Sequence, residues 1–286
     1  VVYLVQYFPS REDFHLLSIA HTVVPVWTEV LADMETPVAA YMKLVGDEPG
    51  FLLESVENGE RWSRYSFVGR NPLATLVLRN GQITTTGEIP GDVVLDKGML
   101  AAMDSLLAIY KAPVMEELPP LQGGLMGFLG YDIVREVENL PNAPRDDRKL
   151  PDATISVIGS LAAFDHWRQR VYLLESVPLI KLNNLEINAA YDAAIERIKK
   201  AAADLTKPLS YVAVEPPRPD DYKSQFDPKK SGSSYQRAVL AAKEYIQAGD
   251  IFQVVLSQRF DVRLNADPFD VYRVLRQVNP SPYMYY

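Results

Sequence analysis

Short runs of β-branched and aromatic residues, separated by turn residues, fill the chain from Val23 to Val177. Such runs predict strands, because these side chains pack well on a pleated surface. Asn80-Gly81 gives the clearest hairpin turn, since both residues tolerate positive φ. Helical spacing recurs between the strands, for example from Met99 to Tyr110. This pattern predicts an α+β fold whose N-terminal domain is a mixed sheet or sandwich with helices.

The composition changes sharply after a long amphipathic helix predicted at Ile187 to Leu205. Residues 207–232 are rich in Pro, Asp, Lys and Ser, as is typical of a linker or a surface connection. Helical spacing resumes after this segment. We therefore expect one domain at residues 14–206, a linker at 207–232, and the start of a second domain at 233–286.

The charge and cysteine content exclude several classes of protein. The formal net charge of -8 argues against nucleic acid or an anionic membrane as the main partner, since both attract basic surfaces. The chain has no cysteine, which excludes disulfides and thiolate metal sites and fits a reducing cytoplasm. No apolar run approaches the ~20 residues that a membrane-spanning helix needs.

The stretch from Ala241 to Phe260 joins two patterns. A helix is predicted from Ser234 to Ala248, and Gly249 stops it because glycine readily adopts the left-handed conformation. The apolar run Ile251 to Ser257 then predicts a buried strand. Gln253 is the exception in that run, because burying an amide without partners costs about 1–3 kcal/mol. Gln253 therefore either hydrogen-bonds within the core or has a task.

Two other features have ordinary structural explanations. The glycine-rich stretch Gly123 to Gly130 lacks the Gly-Lys-Ser/Thr ending of a phosphate-binding loop, so a closely packed strand explains it better. His15, His21 and His166 show no metal-ligand spacing, and we expect them in loops or at the surface.

Two polar motifs lie far apart in the sequence. Glu54 and Ser55 end a short apolar run, and Asn279-Pro280-Ser281-Pro282 breaks a helix before Tyr283 and Met284. By themselves these motifs fit a solvated strand end and a helix terminator.

Four motifs together resemble one family, the chorismate-binding enzymes. They are AKEYIQAGDIFQVVLSQRF, GGLMGFLGYDIVR, LLES followed by RYSFVG, and NPSPYM. The match is with component I of anthranilate synthase, runs from about Phe14 to Tyr286, and implies that residues 233–286 begin the chorismate-binding α+β domain. The resemblance also implies a tryptophan feedback site at Glu54, Ser55, Pro282, Tyr283 and Met284. Glu54 would bind the ammonium group, and Arg64 is a candidate for the ligand carboxylate.

The resemblance implies that Gln253 is catalytic. Isochorismate and salicylate synthases have a water-activating lysine at the similar position, and glutamine cannot act as a general base. An enzyme that uses ammonia needs its nucleophile oriented more than deprotonated. The implied reaction converts chorismate and ammonia to anthranilate and pyruvate. It requires Mg²⁺, and a glutamine amidotransferase subunit supplies the ammonia in a hetero-oligomer.

The family's magnesium and chorismate motifs lie downstream of Tyr286, so no metal ligand is assigned to this chain. Val1 and Tyr286 both look like cut ends, and we expect the chain alone to be inactive. Three alternatives remain open. Aminodeoxychorismate synthase component I shares the architecture, and a non-catalytic tryptophan-binding module would retain the same regulatory site. A purely structural scaffold would show no thermal shift on adding tryptophan.

Overall fold

The computed structural model describes residues 5–54, 64–216, 218, 227–228 and 232–286 of the chain. The chain forms two compact units. The first comprises Val1–Tyr211 and Pro280–Tyr286, and the second comprises Val212–Asn279. The chain combines helices with antiparallel sheets, which confirms the α+β class.

The first unit contains four α-helices and ten strands among its described residues. The helices are α1 (Arg11–Ala20), α2 (Pro37–Leu44), α3 (Met99–Ile109) and α4 (Asn184–Leu205). The strands are β1 (Val23–Leu31), β2 (Gly50–Glu54), β3 (Tyr65–Arg70), β4 (Ala74–Arg79), β5 (Gln82–Gly87), β6 (Leu125–Leu129), β7 (Ala153–Val157), β8 (Ser160–Asp165), β9 (Arg170–Pro178) and β12 (Met284–Tyr285). A 3-10 helix spans Tyr131–Glu136.

The larger sheet has six antiparallel strands in the order β1-β9-β8-β3-β2-β12. Pro25 lies in β1 at one edge, as expected of a residue that cannot donate a ladder hydrogen bond. Helix α4 contacts β1 and β9, and α2 contacts β2, β3 and α4, so these helices cover one face. Aromatic and aliphatic side chains including Trp27 and Tyr172 form a hydrophobic cluster with the loop residue Leu118. Covering both faces explains why every residue of β8 is buried.

The smaller sheet has four antiparallel strands in the order β5-β4-β7-β6. Asn80 and Gly81 join β4 to β5 with φ of 50° and 75°, which confirms the predicted hairpin turn. The predicted close packing of the glycine-rich stretch is also confirmed. A Cβ atom at Gly127 in β6 would lie 1.9 Å from the carbonyl oxygen of Thr154. Helix α3 packs on this sheet through the buried residues Met99, Ala102 and Leu106.

The second unit contains α5 (Gly232–Ala248), α6 (Pro268–Val278) and the short pair β10 (Asp227–Pro228) and β11 (Phe260–Asp261). Gly249 ends α5 with φ of 83°, as predicted, and Asp267 caps α6. The predicted buried strand from Ile251 to Ser257 is wrong. These residues form no strand, and Phe252 and Val255 are exposed. Among the described residues no strand pairs with this run, and an unpaired strand has no ladder hydrogen bonds to stabilise it.

Candidate functional site

The two polar motifs meet at the edge of the six-stranded sheet. Strand β12 pairs antiparallel with β2 and places Met284 opposite Glu54 and Tyr285 opposite Leu53. The Leu52 and Tyr286 backbones exchange two hydrogen bonds, of 3.0 and 2.9 Å. The structure therefore brings together segments that lie far apart in the sequence.

Glu54 is the buried carboxylate at this edge, with 6% of its surface exposed. It lies opposite Ser66 on β3 as well as opposite Met284. Residues directly opposite each other on antiparallel strands share a face, so these three side chains lie on one side of the sheet. Met284 and Ser66 are also buried. The face combines a carboxylate, a hydroxyl and an apolar thioether, a combination that suits a ligand with both a cationic and an apolar part.

Helix α2 contributes an aromatic contact beside this face. The rings of Tyr41 and Tyr286 meet edge to face with centroids 5.5 Å apart. Burial raises the pKa of Tyr41, and the neighbouring Tyr286 adds to the effect. The phenol of Tyr41 is therefore neutral at pH 7.

The sequence prediction missed the part that His166 plays beside this edge. His166 Nε2 lies 2.8 Å from the Ser66 hydroxyl oxygen, and the imidazole stacks on Phe164. Burial lowers the pKa of His166, and the charge of Asp165 only partly offsets that effect. The imidazole is therefore neutral near pH 7. The signal in the sequence was Ser66 itself, a polar residue at an inward-facing position of a strand.

Arg64 is directed to Asp165 in this structure. Its guanidinium donates to the two Asp165 carboxylate oxygens over 2.8 to 3.3 Å and lies over the rings of Tyr65 and Trp167. Burial tends to raise the pKa of Asp165, but the hydrogen bonds from Arg64 and from backbone N–H groups hold it below its ordinary value. An arginine with this partner would have to exchange it before binding a ligand carboxylate.

The remaining predicted tryptophan-site residues differ in their placement. Pro282 and Tyr283 are exposed, and Tyr283 shows 83% of its surface to solvent. They lie in the bend immediately before β12. Ser55 lies outside the described residues. The structure thus places Glu54 and Met284 together, with Pro282 and Tyr283 in the adjoining segment.

Gln253 lies in the second unit, in the irregular segment that follows α5. Its side chain is exposed, so the cost of burying an amide does not arise here. Burial therefore gives no reason to assign Gln253 a task, and its proposed role rests on the resemblance.

The described residues contain no group of three or more His, Cys, Asp or Glu side chains that could hold a metal ion. In the same described part of the chain, no helix combines the length and apolarity needed to cross a membrane.

Comparison with known proteins gives consistent results. Residues 49–286 match the family described as chorismate binding enzyme. Anthranilate synthase component 1 of Mycobacterium tuberculosis (strain ATCC 25618 / H37Rv) is 41% identical over 281 residues, covering 96% of this chain and 54% of the relative. Anthranilate synthase alpha subunit 2, chloroplastic, from Oryza sativa subsp. japonica is 38% identical over 288 residues, covering 92% and 46%.

A solved structure is similar as well. It is anthranilate synthase component I from Streptococcus pneumoniae TIGR4, with a TM-score of 0.59 and 27% identity over 88% of this chain and 53% of that chain. The chain spans about half the length of the curated relatives that it matches. The family match covers most of the chain and includes both strands of the β2–β12 edge. The chain belongs to the family of chorismate binding enzymes.

Proposed function

We propose that the chain is part of the large subunit of an anthranilate synthase. In the overall reaction, chorismate and ammonia give anthranilate, pyruvate and water. Ammonia forms the new C–N bond at C2, the ring hydroxyl leaves as water, and the enolpyruvyl group leaves as pyruvate. The observation that carries this proposal is the similarity of nearly the whole chain to relatives named anthranilate synthase component 1.

The proposed enzyme works with components that this chain does not supply. A glutamine amidotransferase subunit would deliver ammonia, Gln253 would help to orient it, and Mg²⁺ would polarise chorismate. No residue of this chain is assigned as a magnesium ligand. We place the enzyme in the cytoplasm, which agrees with a chain that has no cysteine.

We further propose that the β2–β12 edge binds L-tryptophan as a feedback inhibitor. The buried Glu54 carboxylate would accept from the ammonium group, a charge-assisted interaction. Met284 would cover the indole, with Ser55, Pro282 and Tyr283 completing the site. The pairing of Glu54 with Met284 supports this proposal, because one carboxylate and one apolar side chain meet at the same sheet position.

Isothermal titration calorimetry with Glu54→Gln tests the tryptophan site. Loss of a charge-assisted hydrogen bond should weaken tryptophan binding by about 10- to 100-fold. Glu175→Gln is the matched control, because Glu175 is equally buried in the same sheet but contacts Arg197. Equal tryptophan affinity of Glu54→Gln and the unaltered chain would refute the proposed site.

The alternatives differ in product. An aminodeoxychorismate synthase would add ammonia at C4 and retain the enolpyruvyl group, and a non-catalytic module would bind tryptophan with no turnover at all. The assay supplies chorismate, Mg²⁺ and an ammonium salt, and it monitors anthranilate by fluorescence. We expect no product from this chain alone and anthranilate from the complete subunit. Aminodeoxychorismate from the complete subunit would favour the first alternative, and tryptophan binding without any product would favour the second.

A further inference from the structure

The first unit contains a cavity of about 270 Å³ away from the β2–β12 edge. It lies where the end of α3 meets the loop at residues 112–124 and the starts of β1 and β6. Leu106, Val157 and Ile158 form part of its wall. The glycine-rich stretch Gly123 to Gly130 begins at this cavity, with Gly123 and Gly124 in its lining.

The lining of the cavity specifies an uncharged ligand. Most of the side chains are aliphatic, and none of the lining residues carries a charge. Bringing an ion into such surroundings is costly, so a charged molecule would be excluded. A cavity of about 150 Å³ in another protein holds benzene, and the larger volume here fits a bicyclic ring system.

Ser176 gives the cavity one polar contact. The residue is 6% exposed, and its backbone N–H donates to the Gly159 carbonyl oxygen. Its hydroxyl has no hydrogen-bond partner within the part of the chain that the structure describes. The hydroxyl can therefore both donate to and accept from a ligand in the cavity.

The neighbouring loop keeps this hydroxyl accessible. A Cβ atom at Gly123 would lie 3.4 Å from the Ser176 hydroxyl oxygen, so a larger side chain there would cover it. The Gln122 side-chain amide accepts from the Met115 N–H at 3.0 Å and donates to the Met115 carbonyl at 2.7 Å. This pair of hydrogen bonds closes the loop and holds Gly123 beside Ser176.

We propose that this cavity binds a neutral, bicyclic aromatic molecule that forms a hydrogen bond with the Ser176 hydroxyl. The apolar walls supply affinity by burying the rings, and Ser176 fixes their orientation. The site is independent of the proposed chorismate and tryptophan chemistry, since it uses none of the residues assigned to that chemistry.

The test titrates the chain with quinoline, naphthalene and 2-naphthoate and follows the amide resonances of Gly123, Gly124 and Ser176 by NMR. Quinoline should produce saturable shifts and bind about 2- to 10-fold more tightly than naphthalene, the range expected for one net hydrogen bond. Ser176→Ala should abolish that preference. No saturable shift with quinoline up to its solubility limit, or equal binding of 2-naphthoate, would overturn the proposal.

Two matched comparisons keep the test independent of folding. Leu107→Glu adds a charge at the cavity on an exposed position of α3, whereas Leu185→Glu adds one at an exposed position of α4 outside it. Only Leu107→Glu should abolish quinoline binding. Ser176→Ala should not lower the melting temperature. Ser156→Ala should lower it, because that serine loses its 2.8 Å hydrogen bond to Thr75. Equal losses of binding in the two glutamate variants would also overturn the proposal.

Discussion

Asp204→Asn tests the buried ion-pair network that fastens α4 to the six-stranded sheet. Arg70 at the end of β3 is 8% exposed in its side chain and donates to Asp204, 6% exposed, over 3.2 Å. Arg70 also donates to the Leu44 carbonyl at 3.1 Å, which connects α2 to the same network. Lys200 and Lys207 donate to Asp204 from the surface at 2.9 and 2.7 Å. The Asp204 carboxylate thus forms ion pairs with three cationic side chains.

The expected cost follows from the burial of the pair. Removing one partner of a buried ion pair costs about 3–5 kcal/mol, because the remaining charge stays buried without compensation. We expect about 3 kcal/mol for Asp204→Asn, since the asparagine oxygen still accepts from Arg70 and the two lysines can turn to solvent.

The direction in which the Asp204 contribution to stability changes with pH follows from its pKa. Burial tends to raise the pKa of Asp204, but hydrogen bonds from Lys207, Lys200 and Arg70 outweigh it and hold the pKa well below its ordinary value. The unfolded carboxyl has a pKa of about 3.9. The stabilisation is therefore complete above that pH and is lost as the pH falls through the folded-state pKa. The difference between the unaltered chain and Asp204→Asn should shrink in acid.

Urea unfolding followed by tryptophan fluorescence measures the free energy, because Trp27 and Trp167 both lie in the first unit. Asp192→Asn is the matched control. Asp192 lies on the same helix and also pairs with an arginine, Arg11, but the two side chains are 60% and 46% exposed. Exposed pairs contribute about 0–1 kcal/mol. If Asp204→Asn costs no more than Asp192→Asn at pH 7, the assignment of stability to the buried network is wrong.

Gly127→Ala should destabilise the first unit by about 1–3 kcal/mol because its Cβ would collide with the Thr154 carbonyl, whereas Gly91→Ala, which meets open space, should change the melting temperature little. His166→Gln should reduce the loss of stability between pH 7 and 5. The pKa of His166 is lowered in the folded chain, so the unfolded chain binds a proton first as the pH falls through about 6.5, and this proton uptake destabilises the folded state. An unchanged pH profile would contradict a buried neutral imidazole. Thr36→Ala should cost about 1 kcal/mol in urea unfolding by removing the cap of α2, and no loss would show that the cap is dispensable.

The features predicted correctly from sequence depend on residues that are neighbours along the chain. Gly249 ends α5 with φ of 83°, because glycine readily adopts the left-handed conformation. Asn80 and Gly81 form a hairpin turn because each can adopt a positive φ. In both cases the deciding interactions lie within a few positions, so composition and spacing are sufficient.

The strand predicted from Ile251 to Ser257 does not form, because local β propensity alone does not determine a strand. Its residues have strong β propensity, but a strand also needs a partner that supplies ladder hydrogen bonds and a face to bury. Strand β2 has similar local character and does form, because β3 and β12 pair with it on both sides. Local sequence gives the preference of a segment, whereas its partners decide whether it becomes a strand.

Ser66 and His166 were missed for a related reason. A histidine in a turn between two strands has no spacing pattern that marks it as a site residue. Its significance comes from the pairing of β3 with β8, which brings the Ser66 hydroxyl within 2.8 Å of the imidazole. Glu54 was found only because a family resemblance joined its motif to one far away in the sequence. Contacts between strands far apart in sequence are therefore the part of this site that spacing arguments cannot supply.

The pairing of β12 with β2 also bears on the proposed regulation. Residues 280–286 belong to the first unit, in which β12 pairs with β2. A ligand held between Glu54 and Met284 adds binding free energy to a strand pair of only two residues. A ligand shifts an equilibrium only by the difference between its affinities for the two states. Tryptophan bound at this edge would therefore favour the state in which the segment following α6 is paired with β2.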